Sequence, residues 1–198
     1  MLALASNDTQ IKDNIRKNQL LGVELRPEMF TFACSNMMLR GDGKSNIDCG
    51  DCFNKETSDR IKSLKPTVSF LNPPYDHGPA DQLRFIEKAL EIVAPQNGKV
   101  AAIVQMSCAI KDDHETKAVR TRLLEKHTLK AVISMPDDLF YPVGVVTCIM
   151  VFETNVMETD YSLIRICDFE EVMKKYAIFK TIGSNANIDG DEDFEEDQ

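Results

Sequence analysis

VSFLNPPYDHG, Val68 to Gly78, holds the decision about the fold. Its first residues form an apolar, β-rich run that stops on an asparagine and two prolines. Proline cannot donate to a strand ladder, so the run reads as a short strand, Thr67 to Leu71, ending in a stiff turn. Beyond the turn, Asp81 to Val93 sets Leu83, Phe85, Ile86, Ala89, Leu90 and Val93 on one helical stripe, closed by Pro95, Asn97 and Gly98. Lys99 to Gln105, KVAAIVQ, is then a buried strand. Strand, amphipathic helix, strand is the repeating unit of a parallel sheet.

The same alternation continues in both directions. Upstream, Asp8 to Asn18 is expected as a polar helix and Gln19 to Glu24 as a short strand. Pro27 opens a helix to Arg40 with Met29, Phe30, Ala33, Met37 and Met38 as its core positions, stopped by Gly41 and Gly43. Asn46 to Asp48 is a weak strand. Downstream come a helix from Glu115 to Lys126, strands at Leu129 to Ser134 and Val145 to Phe152 separated by MPDDLFYPVG, and a last strand from Ser162 to Cys167. Near-continuous apolar runs such as AVISM predict a largely parallel α/β sheet covered on both faces.

The chain has 198 residues, 43% of them hydrophobic, enough for one sizeable core. One domain over residues 1–180 is expected, followed by an acidic tail over 181–198 that reads as solvated and mobile. That tail ends in DGDEDFEEDQ and carries most of the net charge of −9. The remainder is close to neutral and neither demands nor excludes nucleic acid. The six cysteines are scattered, several inside apolar runs, as expected of reduced thiols. Cys49 and Cys52 form a CxxC without a second pair, which argues against a metal. No apolar stretch reaches the roughly 18 residues of a membrane span, and no basic leader opens the chain. A cytoplasmic protein is expected.

In open parallel sheets, ligands bind beyond the carboxyl ends of the strands. Three such ends carry polar groups: Glu24, Asp51 and Asn72. An acid after a strand can accept hydrogen bonds from ribose hydroxyls, and an Asp on the next loop can accept from an adenine amine while Cys52 and Phe53 flank the ring. Each alone is more often a turn residue. Asn72 offers a side-chain carbonyl and Pro73 a backbone carbonyl, and Pro73 with Pro74 stiffens the segment that holds both acceptors. Two convergent acceptors can grip an amino group whose nitrogen must become a nucleophile, and Tyr75 adds a face on which its base can stack. A rigid strand-ending turn is the plainer alternative.

With these residues in view, NPPY after an apolar strand resembles the catalytic motif of S-adenosylmethionine-dependent methyltransferases that modify amines, especially the adenine-N6 DNA enzymes. GVELRPEMFTFACSNMMLRG with IDCGDCF is similar to the cofactor side of the modification (M) subunit of type I restriction-modification systems. FIEKALEIVAPQNGKVAAIV and LLEKHTLKAVISMPDDLFYPVGVVTCIMVFE agree in order and spacing. The resemblance covers about residues 20–153. It implies a Rossmann-like methyltransferase sheet, mostly parallel with a C-terminal antiparallel strand. It also implies S-adenosylmethionine as cofactor, with Glu24 on its ribose, Asp51 on its adenine amine, and Cys52 and Phe53 against its ring. Asn72, Pro73, Pro74 and Tyr75 would hold a target adenine flipped out of double-stranded DNA. The implied partners are a specificity (S) subunit and a restriction (R) subunit.

The family's first motif, a strand followed by a glycine-rich turn, has no counterpart in this sequence. Gly41-Asp42-Gly43 lies after Glu24 and reads as a helix stop. The expectation is therefore a partial catalytic domain lacking the first central strand, with an upstream polypeptide as a candidate source of it. Two alternatives stay open: a non-catalytic remnant or assembly subunit, and an NPPY methyltransferase acting on RNA or on a protein glutamine. A dinucleotide oxidoreductase would need the same glycine loop and gives NPPY no task.

Overall fold

A computed structural model describes residues 8–41, 46–136 and 144–155, and the backbone of 165–168. Helix α1 (Thr9–Asn14) is capped by the Asp8 carboxylate, which accepts from the Gln10 and Ile11 amides. It runs through a π turn, Ile15–Gln19, into β1 (Leu21–Glu24). Helix α2 (Pro27–Leu39) starts on its proline and leads to β2 (Asn46–Cys49). The two strands pair in parallel, Leu21 opposite Asn46 through Glu24 opposite Cys49. Helix α3 (Lys55–Ser63) is capped by Asn54. The sequence reading misses it, because KETSDRIKS offers a single large apolar residue and so no stripe.

The second half is built on β3 (Val68–Leu71), α4 (Pro79–Val93), β4 (Lys99–Gln105), the short α5 (Ser107–Ile110), α6 (His114–Lys126), β5 (His127–Ser134), β6 (Thr147–Thr154) and β7 (Arg165–Asp168). These strands form one sheet in the order β3-β4-β6-β5-β7. β3 runs parallel to β4 and β5 to β7, while β6 is antiparallel to both its neighbours. The expected antiparallel strand near the C-terminal end is thus present. Among the described residues no strand joins β1–β2 to the larger sheet.

One face of the large sheet carries the core. Val100, Ala102, Val104, Met150 and Phe152 pack under Leu83, Ile86, Leu90 and Val93 of α4 and Val119 and Leu123 of α6, all at most 1% exposed. Side chains of this size contribute about 1.5–3 kcal/mol each when fully buried. The turn between α4 and β4 is equally tight. Asn97 takes the left-handed conformation, and a Cβ on Gly98 would lie 2.6 Å from Val93 Cβ and 2.7 Å from the Thr67 carbonyl oxygen. That explains the asparagine and glycine at the helix end.

Two expectations are corrected. The apolar residues of α2 are not core: none is buried, Met29 is 37% exposed and Met38 63%, because a two-stranded sheet is too narrow to cover a helix of that length. The large sheet is also not equally covered on both faces. Phe70, in register with Ala101, is 81% exposed, and Ala101, Ile103, Ile149 and Val151 on that side are only half-buried. No helix of the described residues is long and apolar enough to cross a membrane. Gly43, the region Asp137–Val143 and the acidic tail lie outside the described residues.

Candidate functional site

β3 ends at Leu71 and the chain turns away through Asn72, Pro73 and Pro74 before Pro79 opens α4. Pro73 is buried while Asn72 and Pro74 face outward, so the proline pair anchors the turn from one side only. No described residue bonds to the Asn72 side chain, whose carbonyl and amide stand at the carboxyl end of the strand. Tyr75 is half-buried, and burial pushes its phenol above the ordinary value. Its backbone carbonyl accepts a hydrogen bond from the Gln105 side-chain amide at 3.1 Å.

Glu24 and the loop after β2 meet at the carboxyl end of the small sheet. The Gly50 amide donates to the Glu24 carbonyl at 2.9 Å, which closes the pair of strands. Glu24 Oε1 accepts from the Arg26 amide at 3.0 Å, and Asp51 Oδ1 from the Phe53 amide at 2.9 Å. Both acids therefore serve as turn residues with one oxygen, and among the described residues no hydrogen bond reaches the other. Cys52 is half-buried, and burial, then the neighbouring Asp51 charge, raise its thiol pKa. A raised thiol pKa lowers the thiolate fraction and with it the nucleophilicity. Among the described residues no cluster of three His, Cys, Asp or Glu side chains could hold a metal.

The two halves are linked by aromatic rings. Phe53 meets Phe85 of α4 edge-on, with centroids 4.7 Å apart and planes at 66°. Phe85 in turn meets His77, on the loop after Tyr75, at 6.3 Å and 83°. Phe85 was expected in the core stripe; it is instead turned aside to tie the Asp51–Phe53 loop to the Asn72–Gly78 loop. The structure thus brings Asp51, Cys52 and Phe53 toward the Asn72–Tyr75 side. The sequence reading also missed Gln82 and Gln105, which bond the same loop. Their signal was present for Gln82: it stands one turn before Ile86 on the apolar stripe, where a polar residue needs a reason.

Comparisons with known proteins give the family and the fold. A model of the N-6 DNA methylase family matches residues 1–190. The type II restriction enzyme and methyltransferase RM.BcgI of Heyndrickxia coagulans is 34% identical over 177 residues. The match takes in 86% of this chain and 27% of that protein, so the chain spans about a quarter of the length of this curated relative. Among solved structures, the M protein of the type I restriction enzyme EcoKI aligns with TM-score 0.61 at 22% identity, over 74% of this chain and 33% of that one. The type I restriction-modification methyltransferase subunit from Streptococcus thermophilus aligns with TM-score 0.60 at 16% identity, over 85% and 43%. At these identities the two structures show the fold, an α/β methyltransferase sheet.

Proposed function

The chain belongs to the N-6 DNA methylase family, and from that membership we propose that it carries the target-amine and cofactor-adenosine parts of an adenine-N6 DNA methyltransferase. The observation that carries the proposal is the Asn72–Tyr75 turn: a carboxamide with no bond among the described residues, beside a proline pair at the carboxyl end of β3, with a half-buried aromatic ring next to it. The Asn72 carbonyl and the Pro73 carbonyl accept the two N–H groups of the adenine amine. This draws the nitrogen lone pair out of conjugation and aims it away from the ring. As the amine acquires positive charge, the same two acceptors bind it more strongly, which is where the rate advantage lies. Tyr75 stacks on the base after it leaves the duplex.

The cofactor side fits S-adenosylmethionine by its donor set: a carboxylate at the end of β1 for the ribose, a carboxylate on the next loop for the adenine amine, and Phe53 and Cys52 for the ring. When bound, this cofactor supplies a methyl group on a sulfonium. The chain's own contribution is orientation, and a well-oriented pair of reactants gains several orders of magnitude in rate. The proposed partners are double-stranded DNA, specificity and restriction subunits, and a polypeptide segment that supplies a glycine-rich turn. The separation of β1–β2 from the large sheet among the described residues supports the last of these.

The test uses the chain in its assembled methyltransferase with tritiated S-adenosylmethionine, offering duplex DNA, structured RNA and protein side by side. Label is expected in adenine of duplex DNA, and Asn72→Ala should reduce it by about a hundredfold or more, as does loss of one transition-state hydrogen bond elsewhere. Label in protein or RNA alone would refute the substrate assignment. Unchanged labelling in Asn72→Ala would refute the role of the turn.

A further inference from the structure

The turn that holds the proposed amine acceptors does not owe its shape to prolines alone. Gln82, on the first turn of α4, is fully buried. Its Oε1 accepts the backbone N–H of Gln105 at 3.0 Å, and its Nε2 donates to the His77 carbonyl at 3.0 Å. The Cys108 thiol lies 3.6 Å from the same Oε1. Gln105, the last residue of β4, donates from its own Nε2 to the Tyr75 carbonyl at 3.1 Å. Its Oε1 faces the Ser107 hydroxyl at 3.4 Å.

The need for this arrangement follows from the topology. β3 and β4 pair in parallel as far as Leu71 opposite Ala102. The chain then departs through Asn72 and the prolines, so the Gln105 amide has no strand partner on that side. A hydrocarbon at position 82 would leave the Gln105 N–H and the His77 carbonyl without these partners, the first of them on a half-buried residue. The Gln82 carboxamide meets both demands at once, donor to the loop and acceptor from the strand.

We propose that Gln82 and Gln105 form a two-amide clamp that positions the Asn72 and Pro73 acceptors by fixing the turn to the end of β4. The clamp rests on the reading of Asn72–Tyr75 given above, and neither glutamine touches the substrate. Both are positioning residues. Gln82 holds His77, Gln105 holds Tyr75, and the two are joined through the Gln105 amide, so the turn is tied at two carbonyls that follow the prolines in the chain.

Two measurements test the clamp, on Gln82→Met and on Gln105→Met, whose parent residue is only partly buried. The first is hydrogen–deuterium exchange of the purified chain. In Gln82→Met the Gln105 amide, which loses its acceptor, should exchange about tenfold faster, while the rest of β4 and β6 remains protected. The second is steady-state methylation by the assembled enzyme. Its kcat should fall about tenfold to a hundredfold with KM for S-adenosylmethionine within about twofold, because misplacement affects chemistry and not cofactor binding. Gln105→Glu, which keeps the acceptor but loses the donor to Tyr75, should behave like Gln105→Met. Unchanged exchange of the Gln105 amide in Gln82→Met, or a uniform loss of protection across the sheet, would overturn the clamp. So would wild-type kinetics in Gln105→Glu. Unchanged methylation in Asn72→Ala would refute the adenine reading instead, and the exchange result would still decide the clamp.

Discussion

Gly98→Ala should destabilise the domain more than a single-methyl addition at any other of the described glycines. The new Cβ would sit 2.6 Å from Val93 Cβ, 3.0 Å from Val93 Cγ2 and 2.7 Å from the Thr67 carbonyl oxygen. Comfortable separations for such atoms are about 3.5–4.0 Å, so two overlaps approach a full ångström. Neither neighbour can give way easily. Val93 is 0% exposed inside the α4 contact, and the Thr67 oxygen accepts the Lys99 amide at 2.9 Å at the start of the β3–β4 register. Overpacking of a core costs about 1–3 kcal/mol, and rigid partners on two sides place this case in the upper part of that range. For a chain of this size the melting temperature should fall by roughly 4–10 °C. Urea and thermal unfolding followed by circular dichroism measure it, with Gly144→Ala as the control, since a Cβ at Gly144 meets nothing within 4 Å. The control should stay within about 0.5 kcal/mol of the parent. If Gly98→Ala does the same, the packing of α4 against the start of β4 is not as described.

Two further predictions use the same domain. Thr154 is fully buried, and both its amide and its hydroxyl donate to the Gly98 carbonyl, at 3.0 and 2.9 Å; Thr154→Val should lower stability by about 1 kcal/mol in urea titration, and no change would show that the hydroxyl bond contributes nothing. Asp113 caps α6, and its bonds with Thr116, side chain first and then backbone, depress its pKa from 3.8 to about 2. Because the folded pKa lies below the unfolded one, the contribution is complete above about pH 4 and is lost as pH falls through about 2. In Asp113→Asn that part of the acid limb should flatten; an identical limb in both proteins would refute the cap assignment.

The main sheet was legible because its evidence is hydrophobic and periodic. KVAAIVQ and the Leu83–Val93 stripe are apolar where the structure buries them, and Asn97-Gly98 stands where only a left-handed residue and a missing side chain fit. The candidate site was legible as a set of strand ends, since Glu24 closes β1 and Asp51 and Asn72 come after β2 and β3. What escaped was relational. α3 has Ile61 as its one large apolar residue, packed on the core, and is otherwise held by a cap and by charges, Arg60 to Asp48 and Lys62 to Glu91, which no stripe announces. Phe85 counts as apolar on any helical wheel, yet its ring belongs to Phe53 and His77. The methionines of α2 show the converse error: a helical period predicts a face, but only a partner wide enough to cover it makes that face a core.

The small sheet has a thermodynamic consequence. β1, α2 and β2 contain no fully buried residue, whereas α4, β4 and β6 hold most of the core. A unit so lightly anchored opens at a lower free energy than the body to which it is attached. Any ligand gripped by Glu24 and Asp51 must then select the closed form, and its apparent affinity is discounted by the fraction of time that form is absent. The same linkage runs in reverse: a ligand at those two acids stabilises the β1–α2–β2 unit specifically, so that saturation would merge two unfolding transitions into one.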